Sequence, residues 1–169
     1  MPESAGPFQP VEILRLLVEY RVDFILIGGL AATVHGSPFA TFDVDVVPRR
    51  TPANLERLSE ALQALTARVY VSAEETLVFS HDGQSLADVE VWKLSTRFGG
   101  LDISFVPSGT AGYSDLAERA ERFELGGIGV EVAALEDVIR SKSAAGRERD
   151  LLALPALRRL LEIKREHRP

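Results

Sequence analysis

The sequence predicts an α/β (α+β) fold: a mixed, largely antiparallel sheet with helices packed mainly on one side and a C-terminal helical segment. Three patterns carry that prediction. Short apolar or alternating runs sit between stretches of helical spacing, a glycine-turned hairpin spans residues 88–106, and two helical stretches close the chain after Leu135. Taken in order, residues 1–8 read as a flexible Pro/Gly-containing leader, and Val11 to Tyr20 carries Ile13, Leu14, Leu16 and Leu17 at helical spacing. Val22 to Ile27 reads as a short buried strand. Gly28-Gly29 then opens a small-residue helix, Leu30 to His35, which ends at Gly36 and the Ser37-Pro38 breaker. Thr41 to Val47 alternates as a strand and is stopped by Pro48. Thr51 caps the next helix, with Pro52 in its first turn and Leu55, Leu58, Leu62 and Leu65 as its buried stripe.

Residues 67–90 carry the weakest signal, with a strand expected over Thr76 to Ser80 and a turn at His81-Asp82-Gly83. Asp88 to Leu94 alternates, Phe98-Gly99-Gly100 supplies a hairpin turn, and Leu101 to Val106 returns antiparallel. A helix is expected over Ser114 to Arg122, then a strand pair, Phe123–Leu125 and Ile128–Val132. Leu135 to Ala145 reads as a helix ended by Gly146, and a last helix covers about residues 148–166. No repeat or linker divides the chain, so residues 1–169 are read as one domain.

Composition narrows the chemistry. With no cysteine there is no disulfide, thiolate metal site or cysteine nucleophile, and apolar runs are too short to cross a bilayer. No signal peptide is read at the start, so a cytoplasmic location without membrane association is expected. The net charge of −6 argues against a nonspecific nucleic-acid binder. Positive charge does gather in the last thirty residues, from Arg140 and Lys142 to Arg165 and Arg168, either as a local basic patch or as the solvated faces of two helices.

The most informative feature is the pair Asp43 and Asp45. Alternation on a strand points both the same way, about 7 Å apart at Cα, with Phe42, Val44 and Val46 pointing into a core. Adjacent carboxylates repel unless a cation lies between them, and hard ions such as Mg²⁺ take such ligands together with substrate phosphates. Gly28-Gly29 lets backbone approach a phosphate closely. Asp102 shares a face of the hairpin strand with Ser104, so pairing near the Asp43 strand would bring three carboxylates together. The histidines His35, His81 and His167 form no metal-ligand spacing; His35 is expected to interact with the end of its helix, the alternative being that it faces a nucleotide. Trp92 reads as packing, and Arg97 as a solvated turn residue.

An apolar strand, Gly-Gly, thirteen residues, Asp-Val-Asp-Val, and later Asp102 between apolar residues resembles the DNA polymerase beta-like nucleotidyltransferase superfamily, closest to bacterial abortive-infection-type nucleotidyltransferases. The resemblance covers about residues 24–157. It implies a nucleotidyltransferase-like fold and transfer of a nucleoside monophosphate from an NTP substrate to tRNA, protein or a small molecule, in a toxin–antitoxin or phage-defence setting. It implies two Mg²⁺ ions held by Asp43, Asp45 and Asp102, with Asp102 assisting the acceptor hydroxyl and Gly28 and Gly29 at the phosphates. Ser37 and Thr41 would contact phosphate. The segment Leu135 to Lys142 with Arg147 and Asp150 resembles a downstream motif of the family, which gives Lys142, and then Arg147, the role of neutralising phosphate charge. One departure stands out: Phe39 occupies the position where relatives often carry arginine. It favours a second reading, a catalytically silent nucleotide-binding or partner module, acting with a partner protein or as a homodimer.

Overall fold

The computed structural model describes residues 7–169; of the expected leader, residues 1–6 lie outside the described residues. Phe8, expected in that leader, instead packs against the hairpin at Gly99. The first helix, α1 (Pro10–Glu19), buries Ile13, Leu14 and Leu17 on one stripe. Strand β1 (Phe24–Ile27) runs directly into α2 (Gly28–Val34). Strand β2 (Asp43–Pro48) follows, and then α3 (Pro52–Ala64), whose N-terminus is capped by the Thr51 hydroxyl accepting from the Asn54 N–H at 3.4 Å.

The weakly patterned stretch resolves into β3 (Arg68–Ser72), β4 (Glu75–Leu77) and α4 (Gly83–Ala87). The expected turn at His81-Asp82-Gly83 is instead a helix start, with Asp82 and Ser85 forming a reciprocal capping box. Then come β5 (Val91–Thr96), β6 (Gly99–Ser104), α5 (Tyr113–Ala117), β7 (Glu121–Leu125) and β8 (Ile128–Val132). The expected helix over Ser114 to Arg122 is therefore shorter, because its last residues pair into β7. Two helices end the chain: α6 (Leu135–Ala145), closed by Gly146 at φ 65°, and α7 (Glu148–Glu166).

One eight-stranded sheet joins these elements in the order β4-β3-β5-β6-β2-β1-β8-β7. Only β2–β6 and β1–β8 pair in parallel; every other ladder is antiparallel. Along β2 and β6, Val44, Val46, Leu101 and Ile103 are fully buried while Asp43, Asp45, Asp102 and Ser104 are partly exposed. One face of this central part is thus core and the other is accessible. In β1, Phe24, Ile25 and Leu26 are all buried, so there both faces are covered. Buried Asn54 fixes the far ends of β1 and β2: its amide donates to the Asp23 and Arg49 carbonyls and its oxygen accepts from the Asp23 N–H at 2.7 Å. Three bonds from one fully buried side chain lock the register that sets Ile27 opposite Asp45.

Phe42 corrects the sequence reading. It lies just before β2 rather than in it, and is 74% exposed instead of pointing into the core. The alternation argument holds only from Asp43 onward, where ladder pairing begins.

Candidate active site

The register of two parallel strands assembles the acidic cluster. Asp45 on β2 is the direct partner of Asp102 on β6, and Asp43 is opposite Gly100. Cross-strand partners share a face, so the three carboxylates project together. Glycines make the room. A Cβ at Gly28, whose φ is +70°, would collide with the Asp45 carboxylate, and one at Gly100 would collide with that of Asp43. Gly29 is packed similarly, a Cβ there falling 2.8 Å from the Thr41 hydroxyl. The Gly-Gly pair thus accommodates Asp45 and Thr41 as well as forming the strand-to-helix turn. Gly100, expected in the hairpin turn, is a strand residue, since the turn itself falls at Arg97 and Phe98.

A consequence is testable by denaturant melts. Gly28→Ala should destabilise the fold by about 1–3 kcal/mol, from a left-handed backbone plus displacement of Asp45. Gly127→Ala, also at positive φ but facing open space, should cost less.

All nine candidate site residues border one cavity of ≈ 710 Å³: the carboxylates Asp43, Asp45 and Asp102; Gly28, Gly29, Ser37 and Thr41; and Lys142 and Arg147. Ser37 and Thr41 shape the loop before β2, Ser37 accepting from the Phe39 N–H at 3.3 Å and Thr41 donating to the Asp43 carbonyl at 3.3 Å. Phe39 lies at the same cavity, about half exposed.

Lys142 and Arg147 meet on Asp150, a carboxylate that is 1% exposed. Lys142 lies 3.4 Å from one oxygen, and Arg147 donates to the other at 2.7 Å. Burial pushes Asp150 up, but the Arg147 bond and the charges of both cations outweigh it and hold the carboxyl below its ordinary value. Asp150 therefore stays ionised and orients both cations toward the cavity from the α6–α7 junction.

The acidic cluster behaves in the opposite way. Burial, then the charges of Asp102 and Asp43, push Asp45 up to about 7, with Lys142 pulling weakly against them. Asp102 is raised too, chiefly by burial and by Asp43, and is opposed by Lys93 and Arg149. Asp45 is therefore the carboxyl of the cluster that keeps its proton up to about pH 7, and the Asp102 Oδ1 atom is buried with no hydrogen-bond partner. Among the described residues no three His, Asp or Glu side chains are already drawn together as a cage for an ion. Three hard oxygen donors, one with an orphaned buried oxygen, suit a divalent cation, which would replace the proton.

The remaining candidates fall elsewhere. His35 does not border the cavity: its Nε2–H donates to the Ala133 carbonyl at 2.8 Å, and Nδ1 accepts from Lys164 at 2.7 Å. The ring is neutral, held below its ordinary value first by burial, and it ties α7 to the end of α2. His81 accepts or donates with Ser59, and Trp92 packs on Phe79 while donating to the Leu86 carbonyl. Arg97 is an exposed turn residue over the Phe98 ring. Much of the basic C-terminal charge is paired, Arg140 with Asp115 and Asp137, Arg159 with Glu162 and Lys164 with Glu121. Sequence reasoning missed Lys93 at the cluster, although the hairpin register places it directly opposite Asp102.

Comparison with protein-family models and with curated proteins gives no match. Solved structures do match. The lincomycin-bound crystal structure of the lincosamide antibiotic adenylyltransferase LnuA superposes with a TM-score of 0.61 at 14% identity, covering 89% of this chain and 94% of that one. A Thermotoga maritima protein assigned as a nucleotidyltransferase superposes with a TM-score of 0.53 at 16% identity, covering 93% and 97%. The chain has the nucleotidyltransferase fold. In it, the expected mixed, largely antiparallel sheet and C-terminal helix are both present. No helix is long and apolar enough to cross a membrane among the described residues.

Proposed function

We propose that this chain moves a nucleoside monophosphate from an NTP to a hydroxyl or similar group of an acceptor, releasing pyrophosphate. The observation that carries the reading is the register Asp45↔Asp102 on adjacent parallel strands, beside the Gly28-Gly29 turn and facing Lys142 across one cavity. The nucleotidyltransferase fold supports it, and one of the superposed proteins is an adenylyltransferase.

Asp43, Asp45 and Asp102 would hold Mg²⁺, which when bound neutralises phosphate charge and polarises the phosphoryl group. Asp102, with its free buried oxygen, is the group that takes the proton from the acceptor O–H. The acceptor oxygen forms a bond to the α-phosphorus as the bond from that phosphorus to the bridging oxygen breaks, and the electron pair leaves with pyrophosphate. Lys142, oriented by Asp150, counters the charge on the departing phosphates, with Arg147 beside it. Ser37 and Thr41 hold the loop that borders the phosphates, and Gly28 and Gly29 keep the backbone close to them. Catalysis of this type is positioning plus electrostatics, without a covalent nucleophile.

Labelled ATP, GTP, CTP and UTP, each with Mg²⁺ and with RNA, protein and small-metabolite fractions, test the reading. Label should enter one fraction from one preferred NTP. Lys142→Ala should slow that transfer roughly 10²–10³-fold, the worth of one electrostatic contact to a transition state. NTP binding without labelling in any fraction would instead support a silent nucleotide-binding or partner module, the reading that Phe39 at the cavity favours. A toxin–antitoxin or phage-defence role belongs to this proposal through the abortive-infection resemblance alone; a partner protein or homodimer belongs to the silent-module reading, and cytoplasmic residence is kept as an expectation of the sequence.

A further inference from the structure

The accessible face of the sheet continues past the carboxylates. The register runs from Asp45 through Asp102 to Lys93, and sets Val91 opposite Ser104, carrying one face outward from β2 onto β5. One strand further, Val69 pairs with Leu94, which brings Tyr70 beside Lys93. The Lys93 ammonium lies 5.3 Å from the centre of the Tyr70 ring. Val91 and Tyr70 are exposed, at 59% and 37%, while Leu94, Leu101 and Ile103 on the reverse face are buried. Val91 and Ser104 also border the cavity that contains Asp102. Lys93 is exposed and joins none of the ion pairs among the described residues.

We propose that Val91, Lys93 and Tyr70, with Ser104, form the acceptor subsite, and that the acceptor is a small molecule with an apolar face and one anionic group near its nucleophilic hydroxyl. This rests on the transferase reading above. Sheet order divides the site: β1 and the Gly28-Gly29 turn lie on one side of Asp45, β5 with Lys93 on the other side of Asp102. Lys142, Arg147 and the glycine turn suit a triphosphate, which leaves the β5 side for the second substrate. Lys93 presents the cation that an anionic group would meet, whereas Arg68, opposite Ser95 on the same face, is engaged by the hydroxyl and carbonyl of Thr76. The Tyr70 ring and the Val91 side chain offer apolar surface, and the ring–ammonium contact fixes where that charge sits. A polynucleotide would need several uncompensated cations in a track. Here the segments around the strip carry exposed Glu74, Glu75, Asp88 and Glu90, on a chain of net charge −6.

Titration of the labelled full chain with 4-hydroxyphenylacetate, followed by NMR, tests the subsite without knowledge of the true acceptor. Saturable shifts should centre on Val91, Lys93, Tyr70 and Ser104. Lys93→Met should weaken binding about fivefold, the worth of one exposed ion pair, and 4-ethylphenol, lacking the carboxylate, should bind the wild type as weakly. Arg97→Met, removing an exposed cation at the hairpin turn beyond β5, should leave the affinity unchanged. Shifts elsewhere, equal affinity in Lys93→Met, or tighter occupation of the strip by a single-stranded oligonucleotide would overturn the proposal. Mg²⁺ with ATP, GTP, CTP and UTP, each added in turn to the same sample, should in one case shift Gly28, Gly29 and Lys142. If none of the four shifts them while 4-hydroxyphenylacetate still occupies the strip, the transferase reading falls and the acceptor assignment with it, the anion subsite itself remaining.

Discussion

Asp102→Ala and Asp43→Ala should each reduce nucleotidyl transfer to background, roughly 10³-fold or more, with the fold intact. Two losses combine in Asp102→Ala: the base for the acceptor proton, typically worth roughly 10²–10⁴, and one of the carboxylates that would hold the cation against the phosphates. Asp43 sits opposite Gly100 at the cavity, so its removal opens space without breaking a core contact. Neither variant should lose stability, because each removes a charge from a cluster whose members repel. Far-UV circular dichroism and thermal melts at or above wild type, with labelling at background, are the expected pair of results. Labelling by Asp102→Ala above a tenth of wild type would remove Asp102 from its proposed role, since nothing else at that position can accept the proton. Asp102→Asn, which keeps the shape and loses the basicity, should be as inactive as the alanine variant.

Elements with strong local signals were legible in the sequence. The Asp43-Asp45 strand, the Thr51-capped helix with its leucine stripe and the Gly146-terminated helix all depend on contacts within a few residues, and alternation or capping reports them directly. Asp102 was half legible. Its face followed from alternation, but its pairing with Asp45 is a parallel ladder between residues far apart in sequence, which local spacing cannot specify; it stood as a condition on strand pairing that the family resemblance then supported. The stretch 67–90 failed because β3 and β4 are short and lie largely exposed at one end of the sheet, and α4 is only five residues long, so no apolar period develops. Phe42 failed for a different reason: the strand starts two residues later than the alternating pattern. Gly100 was read as a turn glycine because glycine pairs usually are, whereas its function is to leave space for a carboxylate on a neighbouring strand that sequence does not reveal.

Stability of the metal-free protein should fall as pH rises from about 4 to 7, by an amount that Asp45→Asn removes. The ordinary aspartate value is 3.8, and Asp45 in the fold is pushed up to about 7. Between those limits the folded state binds a proton that the unfolded state has released, so unfolding becomes easier with each step upward in pH. The stabilisation is complete below the unfolded value and is gone above the folded one. Its full span is on the order of 2–4 kcal/mol, at about 1.4 kcal/mol for each pH unit between those two values and allowing for partial solvent access. His35 and His81, both held below 6.5 by burial, act with the opposite sign, since the unfolded chain binds their protons more readily. The wild-type curve therefore mixes both effects, and the difference between wild type and Asp45→Asn isolates the cluster. Mg²⁺ should compete with that same proton, so its stabilisation should be larger at pH 8 than at pH 5, and most of it should vanish in Asp45→Asn. Urea melts at pH 5, 6.5 and 8, with and without Mg²⁺, measure all three quantities. A pH-independent difference curve would mean that Asp45 is not the protonated member of the cluster. A Mg²⁺ response undiminished in Asp45→Asn would place the cation away from β2 and β6, and would separate this acidic cluster from the phosphoryl chemistry proposed for it.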